Sequence, residues 1–474
     1  MNRLIIIILL VLLSQQSFEQ IKKTDYKEVL AIIDLWLDGQ REFDRLPGIS
    51  VAIVKDQELL FSKGYGYADL EKKIPMTAET ICSICSISKL FTSVAIMQLW
   101  EQGAIRLDDS LKALLPHFNM KQSYAETVPI TVRSLLTHSS GLPRESDYPY
   151  WSGPKFYFPA TGEMNKKLAE QQTLYPSSTY FQYSNLGMSL LGEIVANKTS
   201  RSYNEYVEDN ILKPLQLSNT HPYLPEELWR GKMATGYSAL NRQGLRTMLP
   251  LFNTNAIAPA AGYSSNVIDM AKFASWQMRL LSDNTREVLR SSTLKEMQRI
   301  QWISPDKKLT WGLGFILQDN NGVTYLGHDG SCPGYRTVLM MDPKKKIGIS
   351  IMINAQGVNP YKYCDAIFDL MNKVITEDTA AKNIDLAVYS GRYDNYAWSG
   401  EIIVMPYKGK LVMLGLPEDK PAESISVFQY IQGDSFRRVR PDDNSLGEEL
   451  RFEKNQNGEI TRMWLNSNFR DKIH

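Results

Sequence analysis

Ser86 stands at the head of an apolar segment, Ile87-Ser88-Lys89-Leu90-Phe91-Thr92-Ser93-Val94-Ala95-Ile96-Met97-Gln98-Leu99-Trp100, that stops at Gly103. A run that is apolar around most of its circumference and ends on glycine predicts a helix buried on nearly every side. Such a helix belongs at the centre of a large core, so the rest of the fold must be arranged around it. Ser86 falls in the first turn and Lys89 three residues on, which sends both side chains from one face and lets the amine reach the hydroxyl. The positive end of the helix dipole favours an alkoxide over an alcohol, and a neutral amine over an ammonium.

Ser-x-x-Lys by itself carries little information, because Ser152/Lys155, Ser292/Lys295 and Ser304/Lys307 match it too. Ser152 lies in Ser-Gly-Pro-Lys and Ser304 in Ser-Pro-Asp-Lys-Lys, both turns; Ser292 sits in a polar stretch that reads as a solvated face. Only Ser86 heads an apolar helix. Two further motifs follow it in order: Tyr183-Ser184-Asn185, and His328-Asp329-Gly330 with Ser331 directly after.

With these residues placed, the chain resembles the serine hydrolases related to class C β-lactamases and penicillin-binding proteins, a group that includes esterases and D-aminopeptidases. Gly48-Ile49-Ser50-Val51-Ala52-Ile53-Val54 with Gly64-Tyr65-Gly66-Tyr67-Ala68 looks like the family's first hairpin. The segment from Ile130 to Pro143, Lys213-Pro214-Leu215 and Trp311-Gly312-Leu313-Gly314 resemble its other hallmarks, so the likeness spans roughly residues 45–375. It implies an α/β fold, an antiparallel sheet flanked by helices plus a mostly helical lobe. It also implies an acyl-enzyme formed on Ser86, with Lys89 and Tyr183 sharing the general-base work. A tyrosine titrating near pH 10 serves as a base only if neighbouring cations hold it down, a charge Lys89 could supply. Asn185, His328 and Gly330 are expected to bind substrate, and the backbone N–H groups of Ser86 and Ser331 to form the oxyanion hole.

The third motif departs from the β-lactamase pattern, because neither Lys-Thr-Gly nor Lys-Ser-Gly occurs in the chain. The lysine of that pattern is a fixed cation, whereas an unperturbed histidine titrates near pH 6.5. On that basis His328 is expected to gain charge between about pH 7.5 and 5.5, and to recognise a substrate carboxylate better as the pH falls. The reading is therefore an exported serine hydrolase acting on esters, amides or short peptides with D-residues. β-Lactamase or D-Ala-D-Ala carboxypeptidase activity ranks below it, and a penicillin-binding sensor or a non-catalytic scaffold below that.

Composition narrows the partners. Fifty-three basic residues against 52 acidic ones leave a formal charge of +1, which gives no footprint for nucleic acid. The partner is then a small molecule or short peptide, with no metal or other cofactor expected and the oligomeric state unknown. Cys82, Cys85, Cys332 and Cys364 allow three pairings, and the five histidines show no metal-binding spacing. Cys85, next to Ser86, is the rival nucleophile. His138 reads as a structural histidine.

Length divides the chain in two. Met1-Asn2-Arg3 and the apolar run Leu4–Leu13 have the shape of a secretory signal ending near Ser17, too short to span a bilayer, so export to the periplasm or medium is expected with no transmembrane span in the mature chain. Residues 24–376 form the expected hydrolase domain and 377–384 a polar linker. In 385–474, alternating segments meet across Lys408-Gly409 and Asn457-Gly458, hairpin signals that resemble the small lipocalin-like β-barrel appended to hydrolases of this family. The first domain is expected to fold without the barrel, and the barrel to shape substrate access.

Overall fold

The computed structural model describes residues 26–473 except 125, 127, 230, 284, 321, 374, 376 and 378–383. The expected signal segment and most of the expected linker lie outside the described residues. The fold class expected from the sequence is the one observed. Strands β1 (Gly48–Lys55), β2 (Glu58–Asp69), β3 (Ile74–Pro75), β4 (Trp302–Ile303), β5 (Thr310–Trp311), β6 (Ile316–Asn320), β7 (Val323–Cys332), β8 (Tyr335–Asp342) and β9 (Ile347–Ile353) make one sheet. Its order is β3-β2-β1-β9-β8-β7-β6-β5-β4, antiparallel in the pairings from β2 through β6.

Both faces of this sheet are covered, which is why β9 reads Ile-Gly-Ile-Ser-Ile-Met-Ile, with little polar alternation. Side chains still alternate between faces. Ile49, Val51 and Ile53 of β1, Val338 and Met340 of β8, and Ile347, Ile349, Ile351 and Ile353 of β9 share one core with helices α1 (Lys27–Phe43) and α5 (Pro360–Asn372). Ala52, Val54, Leu339, Met341 and Met352 point the other way, into the core of α2 (Ser88–Glu101), α3 (Asn185–Thr199) and α4 (Val267–Asp283). Helix α2 is buried at every position from Ser88 to Leu99, as its apolar circumference predicts, and Gly103 closes it with φ +72°.

A second sheet runs in simple sequence order through β10 (Gly391–Tyr393), β11 (Ile402–Tyr407), β12 (Lys410–Gly415), β13 (Ser426–Gln432), β14 (Ser435–Val439), β15 (Leu446–Lys454), β16 (Ile460–Leu465) and β17 (Asn468–Asp471). A bridge between Tyr393 and Lys472 brings its two ends together into a nearly closed barrel. Phe428, Phe436, Leu450, Phe452 and Met463 fill the inside. The outer face of β11 and β12 is apolar as well, and Ile403, Met405, Val412 and Leu414 join the core formed by α1, α5 and the large sheet. Polar ties reinforce the seam: Trp36 Nε1 donates to the Glu418 carbonyl at 2.9 Å, and Lys362 Nζ lies 2.6 Å from Asp419 Oδ1. Gly39 of α1 is buried at this seam, and a Cβ there would lie 2.3 Å from Leu416 Cδ1. The barrel thus docks on helices behind the sheet, on the face opposite Ser86. That corrects the expectation that it shapes access to Ser86, and the shared core stands against free folding of residues 24–376 alone.

Candidate active site

Cys85–Ile87 form a tight helical turn that leads directly into α2. Cys85 takes φ +50°, a conformation that strains a residue with a side chain. The surroundings hold it there. Cys85 is disulfide-bonded to Cys332, the Ile84 carbonyl accepts from Thr337 Oγ1 at 3.1 Å, and Ile84 N–H donates to the Tyr263 carbonyl at 2.9 Å. The disulfide settles the pairing left open by sequence and removes Cys85 as a nucleophile. Cys82 and Cys364 are free and buried, and burial pushes the Cys82 thiol up to about 12.

Alternation along β7 puts Leu326, His328 and Gly330 on the Ser86 face and turns Asp329 toward Tyr361 of α5, 3.5 Å away. At Gly330 a Cβ would meet Thr337 Oγ1 at 2.2 Å and the Ile84 carbonyl at 2.4 Å, so only glycine lets the strand lie against the Ser86 turn. Gly330 is thereby accounted for by packing. Ser331 is exposed at the strand's end, and the disulfide joins the residue before Ser86 to the residue after Ser331.

Lys89 has no accessible surface, and its Nζ has three partners: Ser86 Oγ at 3.1 Å, Asn185 Oδ1 at 2.8 Å and the Ala260 carbonyl at 2.8 Å. Burial holds the amine well below the usual lysine range; Glu145 and Asp329 pull it back up and Arg144 pushes it further down. A neutral amine has two N–H bonds and one lone pair. The two carbonyl oxygens can only accept, so they take both N–H bonds and the lone pair is left for the Ser86 hydroxyl. Once protonated, the ammonium has a donor for each of the same three partners, so gaining the proton requires no rearrangement.

Tyr183 lies at the mouth of α3, between Lys89 Nζ, 4.7 Å from the ring centre, and the Arg144 guanidinium, 4.8 Å from it. Burial raises its phenol above the ordinary range, while the hydrogen bond with Ser86 and the charge of Arg144 pull it down by less. Lys89 therefore does not hold Tyr183 ionised as the sequence suggested: the amine sits over the ring, and burial disfavours its own charge. Beneath Tyr183 lies His138, 4.4 Å between ring centres, whose Nδ1 accepts from the Ser184 N–H at 3.2 Å. Burial first, with the charge of Arg144 adding to it, keeps His138 neutral. Its role in fixing the Tyr183-Ser184-Asn185 turn matches the structural reading.

His328 is buried, and its Nδ1 lies 2.6 Å from the Asp329 carbonyl. A carbonyl only accepts, so Nδ1 carries the proton and Nε2 is left as an acceptor, unpartnered and buried. Burial pushes the imidazole down to about 4, against the pull of Asp329. The expected protonation between pH 7.5 and 5.5 is thus corrected: desolvation outweighs the neighbouring carboxylate, and the ring stays neutral across that window.

The structure brings Ser86, Lys89, Tyr183, Asn185 and His328 into one constellation and leaves the other Ser-x-x-Lys pairs outside it. Ser152, Lys155, Ser292, Lys295 and Lys307 are exposed. Sequence reasoning missed Glu145, Arg144 and the Ala260 carbonyl. The first two follow directly on the Ile130–Pro143 hallmark, which was the one signal that could have exposed them. A backbone carbonyl leaves none. Among the described residues no group of His, Cys, Asp and Glu is arranged to hold a metal, and no helix is long and apolar enough to cross a membrane.

Similar proteins share this arrangement of elements. An octameric penicillin-binding protein homologue from Pyrococcus abyssi superposes with a TM-score of 0.65 at 24% identity, covering 93% of this chain and 99% of that one. A D-stereospecific amidohydrolase from Streptomyces sp. gives 0.60 at 22% identity over 70% of this chain and 97% of its own. At these identities the likeness is one of fold. In sequence, Protein flp of Staphylococcus aureus (strain MW2) is 27% identical over 331 residues, 68% of this chain and 62% of that protein. Beta-lactamase-like protein 2 of Dictyostelium discoideum is 29% identical over 329 residues, 68% of this chain and 58% of that protein, so the match spans about three fifths of either relative. The family model described as Beta-lactamase matches residues 34–369, which takes in the second half of α1, the Ser86 turn and strand β7 together. The chain belongs to the Beta-lactamase family.

Proposed function

We propose that the protein is a serine hydrolase that works through an acyl-enzyme on Ser86, with esters and amides, including short D-aminoacyl compounds, as substrates. The observation that carries this reading is the Lys89 amine, buried and with both N–H bonds committed to carbonyls, so that its lone pair faces Ser86 Oγ. As Oγ attacks the substrate carbonyl, Lys89 takes its proton. The Ser86 and Ser331 N–H groups hold the oxyanion. When the bond to the leaving group breaks, the Tyr183 phenol gives that group its proton. Water then attacks the acyl-enzyme and restores the proton to Tyr183, while the Lys89 ammonium returns the first one to Ser86. No proton is gained or lost over the cycle, and no cofactor is required.

His328 supports the ranking of substrates. An imidazole that offers a lone pair matches a substrate N–H or O–H and gives a carboxylate nothing to bind, so carboxylate-bearing β-lactams and D-Ala-D-Ala peptides are the poorer fit. A Streptomyces relative in fold is described as a D-stereospecific amidohydrolase, in keeping with this choice. Residues 24–376 are proposed as the hydrolase unit and 385–474 as an appended barrel. Export is proposed as well; the Cys85–Cys332 disulfide supports an oxidising compartment.

A hydrolysis panel of acyl esters, D-aminoacyl amides, D-Ala-D-Ala peptides and a cephalosporin tests this reading. Turnover beyond one equivalent on the first two classes is the expected result. A single stoichiometric burst identifies a sensor instead, and faster turnover of the cephalosporin identifies a β-lactamase.

A further inference from the structure

Glu145 has no place in the motifs, yet its carboxylate lies just behind the polar cluster. Oε1 accepts from Asn185 Nδ2 at 2.7 Å and from Trp151 Nε1 at 3.0 Å, and Arg144 Nε lies 3.2 Å from the same oxygen. Oε2 accepts from the Tyr150 hydroxyl. Every one of these partners is a donor. The carboxylate is held in place by its neighbours. The backbone strengthens the arrangement, since the Arg144 carbonyl accepts from Asn185 N–H at 2.9 Å and from Leu186 N–H at 3.1 Å at the start of α3.

We propose that Glu145 is the positioning residue that fixes which end of the Asn185 carboxamide faces Lys89. This rests on the reading of Ser86 and Lys89 given above. A carboxamide has one accepting and one donating end of nearly the same size, and local sterics do not choose between them. Glu145 chooses. A carboxylate only accepts, so it claims Nδ2 and leaves Oδ1 for Lys89, at 2.8 Å. If the amide turned over, Oδ1 would face the Glu145 oxygens, acceptor against acceptor. Nδ2 would then donate into the Lys89 lone pair, the pair that Ser86 needs. The Glu145 carboxylate therefore reaches the reacting oxygen through two intermediaries, the Asn185 amide and the Lys89 amine, without touching substrate.

Two variants of nearly equal size separate this role from mere packing. Glu145→Gln keeps an accepting oxygen for Asn185 and can place its amide nitrogen against the Tyr150 hydroxyl, which is able to accept. Glu145→Met fills the same space and accepts nothing. The assay follows hydrolysis of a small activated ester, with active sites counted by a fluorophosphonate titration. Glu145→Gln is expected to keep kcat within about threefold, and Glu145→Met to lose about a hundredfold in kcat with KM within about twofold. Should Glu145→Met melt well below the wild type, Glu145→Asp takes its place, because it keeps the charge and withdraws the carboxylate from Asn185; the same loss is expected. The inference is overturned if the non-accepting or withdrawn variant keeps its kcat, or if Glu145→Gln loses as much as they do. A wild-type protein that hydrolyses no ester or amide and takes no probe overturns the serine-hydrolase reading itself, whereas normal wild-type turnover beside a fully active Glu145→Met overturns only this inference.

Discussion

The two faces of the large sheet are equally buried and differently built. Behind it, α1, α5 and the barrel meet through aliphatic and aromatic side chains from Trp36, Ile349, Ile351, Ile367, Ile403 and Leu414. In front, the core around α2 encloses a lysine amine, a carboxamide and two imidazoles, each held by hydrogen bonds with fixed neighbours. Apolar burial stabilises in proportion to area and tolerates exchange of similar shapes. A buried polar cluster costs stability unless every group is matched, and it loses its chemistry when any one is turned. The contrast teaches where each kind of change should register: behind the sheet in stability, in front of it in rate.

The largest expected effect is at the front. Ser86→Ala should abolish hydrolysis while leaving the melting temperature close to that of the wild type, measured by ester assay and thermal unfolding; appreciable residual turnover in that variant would break the contrast at once. Next comes the back. Trp36 has no exposed surface and anchors the barrel through its indole, so Trp36→Ala should cost about 3 kcal/mol by denaturant unfolding, with kcat per folded molecule unchanged. A rate loss as large as the stability loss would mean that the barrel does reach the site.

The third effect is a slope. Because burial holds Lys89 below its unfolded value of about 10.4, the unfolded chain binds a proton that the folded one does not between the two values, and stability rises with pH in that interval. Lys89→Met removes the group and should flatten this rise, as read from unfolding free energies at a series of pH values. An unchanged slope would mean that Lys89 is charged in the fold. The smallest effects are absences. The KM ratio of a carboxylate-bearing ester to a neutral one should be flat between about pH 7.5 and 5.5, since His328 titrates near 4. Ser292→Ala and Ser304→Ala should each leave activity within about twofold.

What could be read from sequence follows the same division. The Ser86 helix was legible because its apolar circumference and glycine stop are local properties of one segment, and the hairpins at Lys408-Gly409 and Asn457-Gly458 because turn chemistry is local too. Tyr183, Asn185 and His328 were legible through resemblance, which places residues in order and says nothing of their protonation. The pKa directions went astray at Tyr183 and His328 because desolvation depends on what the rest of the chain stacks around a group, and no spacing encodes it. Gly39 shows the limit at the back: inside a helix it reads only as a weak helix former, while the structure makes it the point where Leu416 of the barrel approaches. Glu145 was silent for the same reason, since its partner Asn185 lies on another element and the bond between them is a fact of packing.

The proposed chemistry passes through a covalent bond at one oxygen, and intact-protein mass spectrometry after exposure to a fluorophosphonate, followed by peptide mapping, reads that bond directly. One adduct per chain at pH 7.5, mapped to Ser86 and absent from Ser86→Ala and greatly slowed in Lys89→Met, is the predicted result. An adduct that persists in Ser86→Ala, or a Lys89→Met protein labelled as fast as the wild type, would contradict it.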